Sequence, residues 1–242
     1  LTGYLYLALA FFFCCTGTAW SFETVPSAPL VTAGAAVLLE ADSGQVLYSK
    51  NGTAKMPPAS TTKIMTVLLA LEGGNLDRVV TVSPKAASVG EASIDLKAGE
   101  KLTLDDLIYG AMLKSGNDAC VAIAENVAGT ESNFVLLMNQ KAKVLGALNT
   151  SFINTNGLPA TGHFTTARDL AIITRYALKN QSFQKAVSTR GKLIGSTEGE
   201  RYLNNTNRLL WSYDGANGVK TGTTVEAGEC LVASATRHSP AS

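Results

Sequence analysis

The sequence predicts an α+β fold, an α/β sandwich in which an antiparallel sheet packs against a helical region. Three observations carry this reading: hairpin signals near both ends of the chain, an apolar run of helix length over residues 60–71, and capped helical stretches in the middle. Strands at both ends with helices between them place the N- and C-terminal strands in one shared sheet. With 242 residues, 46% of them hydrophobic and 16% charged, the chain has the apolar content for one large domain or two small ones. Disorder and fibrous repeats are excluded.

In order, the chain opens on an apolar run over residues 5–15, followed by the small residues Thr16, Gly17, Thr18 and Ala19. Polarity returns at Ser21, Glu23 and Thr24, short of the roughly 20 apolar residues a spanning helix needs. The run therefore reads as a secretion leader over residues 1–21. A linker around Pro26 and Pro29 covers residues 22–34, and residues 35–242 form the folded domain. Segments 35–40 and 46–48 flank Asp42-Ser43-Gly44, a hairpin signal. Pro57-Pro58-Ala59 then stops extended structure. Residues 60–71 are apolar on nearly every side, which predicts a helix that starts on Ser60 and is buried at the centre of the domain. Thr103-Leu104-Asp105-Asp106 is a capping box opening a helix over 104–113. Ser115-Gly116-Asn117 separates it from a second helix over 118–127. Thr166-Ala167-Arg168-Asp169 caps another that runs to about Leu178, and the remainder turns back to strand. There, segments 219–224 and 230–236 are separated by Glu226-Ala227-Gly228, the second hairpin.

Lys and Arg number 20 against 19 Asp and Glu, a net charge of +1, which supplies no electrostatic footprint for nucleic acid or an anionic membrane. A small or uncharged partner is expected. Cys14 and Cys15 fall in the leader. Cys120 and Cys230 form no C-x-x-C pair and read as two buried thiols rather than a disulfide framework. No ligand cluster suggests a metal, and no cofactor is expected.

Three short motifs carry chemistry. Ser60-Thr61-Thr62-Lys63 sets a hydroxyl and an amine three positions apart, on one helical face. A serine is a weak nucleophile until a base takes its proton, and a lysine desolvated by Ile64, Met65, Val67, Leu68 and Leu69 can be neutral enough to serve. The spacing alone is cheap, because Ser182 and Lys185 share it on what reads as a solvated helix face. Ser115-Gly116-Asn117, on a tight turn, can aim a hydroxyl and an amide into one cleft. Ser49-Lys50-Asn51 matches the same pattern and reads as a strand end. Lys220-Thr221-Gly222 sets a cation on a late strand whose glycines let a ligand backbone lie close.

The three motifs in this order, behind an export signal, resemble the penicillin-recognising serine D,D-peptidases and serine β-lactamases, whose shared pattern is S-x-x-K, [SY]-x-N, K-[TS]-G. Their context over 58–66, 113–120 and 214–222, together with Asn156-Gly157-Leu158-Pro159, His163 and Thr165-Thr166-Ala167-Arg168-Asp169, is similar to the low-molecular-mass D-alanyl-D-alanine carboxypeptidases. The likeness covers about residues 33–236. Class A β-lactamases carry an S-D-N turn, and the Ser-Gly-Asn turn here departs from it.

The resemblance implies a β-lactamase/D,D-peptidase-like catalytic domain over 35–242, truncated at its C-terminus. It implies Ser60 as acylated nucleophile, Lys63 as its base, Ser115 as proton carrier to the leaving D-alanine, and Asn117 holding Lys63 and the substrate amide. Lys220, Thr221, Gly222 and Thr223 become the substrate-binding strand, and the backbone N–H groups of Ser60 and Thr223 the oxyanion hole. The implied partners are a peptidoglycan stem peptide ending in D-Ala-D-Ala and β-lactams as covalent inhibitors. The implied location is outside the cytoplasm, with membrane association only through the leader or a missing C-terminal anchor. A D,D-endopeptidase acting on cross-links and a catalytically silent stem-peptide or β-lactam binder are the competing readings. His163 is rejected as the base, since Lys63 already fills that role; His238 is the one other histidine.

Overall fold

The computed structural model describes residues 28–237. The expected leader with Cys14 and Cys15, the first part of the linker and His238 lie outside the described residues. The chain divides into two compact units, Leu1–Val31 and Thr32–Ser242. All the regular structure described belongs to the second.

Strands β1 (Ala36–Leu39) and β2 (Val46–Lys50) pair antiparallel across the Asp42-Ser43-Gly44 turn. A 3-10 turn (Ala59–Thr62) leads into α1 (Lys63–Glu72). Next come β3 (Val79–Thr81), the short α2 (Pro84–Ala87) and β4 (Lys101–Thr103), with β3 and β4 paired antiparallel. Helices α3 (Leu104–Leu113), α4 (Asn117–Ala128) and α5 (Glu131–Val144) follow, then α6 (Ala167–Ala177) and α7 (Gln181–Ser188). Hairpin β5 (Gly191–Ser196) and β6 (Gly199–Asn204), the short α8 (Leu209–Ser212), and hairpin β7 (Ala216–Thr224) and β8 (Gly228–Ala235) complete the order.

Helix α1 is the hub. Eight of its ten residues are buried, and it packs against α3, α4, α5, α6 and α7. From Ile64 to Leu71 its side chains are apolar apart from Thr66, because that stretch presents no exposed residue, and each fully buried Leu or Ile there contributes about 1.5–3 kcal/mol. The predicted caps form as well. Thr103 Oγ1 accepts from Asp106 N at 3.1 Å, and Thr166 Oγ1 accepts from Asp169 N at 3.0 Å. Each satisfies an N–H that the first helical turn leaves without a partner, a contribution of about 1 kcal/mol.

Four expectations need correction. The helix expected over 60–71 does not start on Ser60: Ala59, at φ +47°, and the Thr61 N→Pro58 O bond of 3.2 Å tighten the entry into a 3-10 turn, and α1 begins at Lys63. The chain beyond Leu178 is not all strand, since α7 and α8 interrupt it. In α7, Phe183, Ala186 and Val187 are buried while Ser182 and Lys185 face solvent, the solvated face expected for that second S-x-x-K. The terminal hairpins do not share a hydrogen-bonded sheet. Among the described residues β1 pairs with β2 and β7 with β8, and α6 packs against both β1 and β8. Finally, Cys120 is buried but Cys230 is half-exposed; both are free thiols.

Candidate active site

The 3-10 turn aims Ser60 and Lys63 at each other. Lys63 is wholly buried, and its Nζ donates to Ser60 Oγ at 2.8 Å, Asn117 Oδ1 at 2.8 Å and the Asn156 carbonyl at 2.7 Å. These bonds engage every donor of the ammonium. Burial nevertheless pushes Lys63 down from 10.5 to about 8, outweighing the pull of the acidic groups around it. The turn is held from outside by Gly157, at φ +93°, where an added Cβ would stand 1.8 Å from Ala59 O. Only glycine fits there.

The α3–α4 junction brings in the second motif. Ser115 sits at φ +63°, a conformation costing a non-glycine residue about 1–2 kcal/mol. Its hydroxyl oxygen is buried without a hydrogen-bond partner. Asn117 opens α4: its Oδ1 accepts from Lys63, its Nδ2 donates to Gly90 O at 3.0 Å and its N–H to Ala92 O at 2.7 Å. Next to it the buried Asp118 carboxylate accepts from Ser93 Oγ at 2.6 Å and from the N–H groups of Ile94 and Leu96, each at 3.1 Å. Loop 90–96 is thereby pinned to the residue that orients Lys63.

The third motif lies along β7, which packs on the 3-10 turn. A Cβ at Gly222 would meet Ser60 N at 2.8 Å and Thr61 N at 3.1 Å, so the strand backbone abuts the Ser60 amide. Thr221 Oγ1 is 2.7 Å from Thr206 Oγ1, and Thr223 is exposed. Lys220 is not the accessible cation its motif suggests. It is buried, and its Nζ donates to Thr221 O at 2.9 Å. Burial, and then the charge of Lys63, push it down from 10.5 to about 7.

Of the eight predicted positions, Ser60, Lys63, Asn117 and Gly222 meet at the 3-10 turn, Lys220, Thr221 and Thr223 lie on the strand packed against it, and Ser115 lies at the α3–α4 junction two residues before Asn117. Two contributions were not assigned by sequence reasoning, although Asn156 lies in a segment that carries the family resemblance. The Asn156 carbonyl is a main-chain group, for which only the neighbouring Gly157 is a signal. Thr206 reaches Thr221 from the loop after β6, and no spacing announces it. His163 is neutral: its Nδ1 accepts from Ile153 N at 3.2 Å, which leaves the proton on Nε2, 3.0 Å from Thr62 Oγ1. Burial pushes it down to about 4. It braces the turn rather than meeting Ser60. Burial pushes the Cys120 thiol up to about 12, so it is no thiolate nucleophile. Among the described residues, no group of three or more His, Cys, Asp or Glu is placed to hold a metal ion, and no helix is long and apolar enough to cross a membrane.

Known proteins are similar to this chain in sequence and in fold. The family model described as D-alanyl-D-alanine carboxypeptidase, peptidase S11, matches residues 22–240. D-alanyl-D-alanine carboxypeptidase DacF of Bacillus subtilis is 46% identical over 209 residues, 84% of this chain and 54% of its own. A D-alanyl-D-alanine carboxypeptidase of Streptomyces sp. is 36% identical over 232 residues, 88% of this chain and 80% of its own. Among solved structures, a variant of the Streptomyces K15 DD-transpeptidase is similar with a TM-score of 0.83 at 35% identity, covering 87% of this chain and 88% of that one. The chain spans about half the length of DacF and 59% of DacC of Escherichia coli. The likeness bears out the α+β fold, and the chain belongs to the D-alanyl-D-alanine carboxypeptidase family, peptidase S11.

Proposed function

We propose that the chain is a serine D-Ala-D-Ala carboxypeptidase that removes the terminal D-alanine from peptidoglycan stem pentapeptides through an acyl-enzyme on Ser60. The observation that carries this is the buried Lys63 Nζ, 2.8 Å from Ser60 Oγ. A lysine brought down to about 8 is partly neutral near pH 7 and can take the serine proton as Oγ attacks the penultimate carbonyl. The oxyanion faces the Ser60 and Thr223 N–H groups, a role supported by the close approach of Gly222 to the Ser60 amide. One such donor is worth about 10²–10³ in rate.

Ser115, with its hydroxyl unpaired, passes the proton on to the leaving amine. Lys220 supports that proton path from its buried position, while the Thr221 and Thr223 hydroxyls receive the D-alanine carboxylate. Lys63 then draws a proton from water, which attacks the acyl carbonyl and frees Ser60. β-Lactams acylate Ser60 by the same attack and leave slowly, because the ring-opened product stays attached. Such chemistry belongs outside the cytoplasm, at the cell wall.

The test is D-alanine release from diacetyl-L-lysyl-D-alanyl-D-alanine. Wild type is expected to release it and Ser60→Ala to fail. No release by wild type, with penicillin bound only noncovalently, contradicts the proposal and favours a silent binding domain.

A further inference from the structure

Asp118 takes no part in the proposed acyl transfer, yet it is buried in the first turn of α4, directly after Asn117. A buried carboxylate persists only where hydrogen bonds compensate the water it has lost. Most of its partners lie in loop 90–96: Oδ2 accepts from Ser93 Oγ at 2.6 Å, Ile94 N at 3.1 Å and Leu96 N at 3.1 Å. Oδ1 accepts from Ala119 N at 2.8 Å and shares Ile94 N at 3.2 Å. The Lys63 ammonium is engaged elsewhere, by Ser60, Asn117 and Asn156. What Asp118 orients is the loop.

The same loop holds Asn117. Gly90 O accepts from Asn117 Nδ2 at 3.0 Å and Ala92 O from its N–H at 2.7 Å, while Asn117 Oδ1 accepts from Lys63 at 2.8 Å. Residues 90 and 92 thus fix the carboxamide, and residues 93, 94 and 96 fix the loop to Asp118. The loop does not take this shape unaided. Glu91 and Asp95 stand at φ +64° and +61°, left-handed conformations that a non-glycine residue keeps only when its surroundings impose them. Ser93 Oγ, which donates to Asp118, also accepts from Asp95 N at 2.8 Å, so one hydroxyl ties the strained Asp95 to the carboxylate. The fit is close on the other side as well, where a Cβ at Gly116 would stand 2.8 Å from Asp118 Oδ1 and 3.2 Å from Ile94 Cγ2.

We propose that Asp118 is a positioning residue for the base: by anchoring loop 90–96 it fixes the Asn117 carboxamide, and through that amide the direction in which Lys63 faces Ser60. The proposal rests on the acyl-transfer reading above. Asp118→Asn keeps the shape of the side chain, but both carboxylate oxygens accept from N–H groups, so either orientation of the amide sets its NH2 against a donor. The loop is then released while β7, on which the ligand carboxylate is proposed to sit, is left alone.

The test is the concentration dependence of acylation by benzylpenicillin in stopped flow, which separates the limiting rate from the half-saturating concentration. Rates are taken per folded molecule, with the folded fraction from circular dichroism. Asp118→Asn is expected to lower the limiting rate by about 10- to 100-fold, the size of a misplacement of about 1 Å, and to change the half-saturating concentration by less than about threefold. Ser93→Ala removes one anchor and leaves the carboxylate, with an expected loss of about threefold, within the worth of one hydrogen bond. Ser93→Thr keeps the hydroxyl and is expected to restore the wild-type rate. A limiting rate in Asp118→Asn within about twofold of wild type, or a loss confined to the half-saturating concentration, overturns the positioning role. Should Asp118→Asn fail to fold, the serine pair decides: wild-type rates in Ser93→Ala, or the same loss in Ser93→Thr, overturn it. Wild type that benzylpenicillin does not acylate overturns the acyl-transfer reading and the positioning role with it.

Discussion

Lys63 Nζ stands 2.8 Å from Ser60 Oγ, and the lysine has no exposed surface. The contact spans three residues, from a 3-10 turn into the first residue of α1. That junction lets a base buried inside the hub helix reach a nucleophile that is itself only half-buried.

Lys63→Met keeps a long unbranched side chain in the hub and removes the base. The rate of acylation by benzylpenicillin is expected to fall by about 10²–10⁴-fold, the usual worth of a positioned general base. Stopped-flow measurement of acylation checks this, and wild-type kinetics in the variant contradict the role.

The pH dependence follows from the two depressed lysines. Burial lowers Lys63 to about 8 and Lys220 to about 7, and the two interact, so they titrate as a pair. Acylation is expected to rise with pH across the window from about 7 to about 8 as Lys63 becomes neutral. The same shifts act on stability. Below the unfolded value of 10.5 the unfolded chain holds more protons than the native one, so these lysines make the fold more stable as pH rises from about 7 towards 10.5. A pH series of acylation rates and of Tm tests both.

Gly222→Ala places a methyl group 2.8 Å from Ser60 N and 3.1 Å from Thr61 N. The strand and the turn must part by several tenths of an ångström, at the proposed oxyanion hole. A loss of about 100-fold in acylation is expected, with the fold retained. Acylation kinetics alongside circular dichroism separate the two effects.

His163 affects stability rather than chemistry. Its value falls from 6.5 to about 4 on burial, so the unfolded chain binds the proton more readily and stability declines as pH drops through that window. The decline reaches about 3 kcal/mol near pH 4. Denaturant titrations should show it in wild type and not in His163→Gln, while the acylation profile near pH 7–8 stays in place.

Thr206→Val removes the hydroxyl 2.7 Å from Thr221 Oγ1. With Thr206 donating, the Thr221 proton is free for a ligand carboxylate; without it, that orientation is lost. KM for D-alanyl-D-alanine peptides is expected to rise several-fold, the worth of about one hydrogen bond. Steady-state kinetics on a peptide and its terminal amide distinguish this from a general defect, since the amide should be affected less.

Much of this site was legible in the sequence because its parts are side chains at fixed spacings. Ser60 and Lys63 announce themselves by three-residue spacing ahead of an apolar run, and the Thr103 and Thr166 caps by their place before helical periodicity. What escaped depends on the main chain or on distant contacts. Helix α5 buries Phe134, Met138 and Ala142 at helical spacing, but Leu136, Leu137 and Val144 are exposed and blur the pattern. The 3-10 entry hinges on the left-handed Ala59, which no propensity favours. The Asn156 carbonyl carries no side-chain signature, and the burial of Lys220 comes from elements far away in the chain.

The most direct test is mass mapping of the acyl-enzyme formed with benzylpenicillin. Trypsin releases the segment from Met56 to Lys63, which contains Ser60. A penicilloyl adduct on that peptide, absent in Ser60→Ala, is the predicted result. An adduct on another peptide, or one that persists in Ser60→Ala, would contradict Ser60 as the nucleophile.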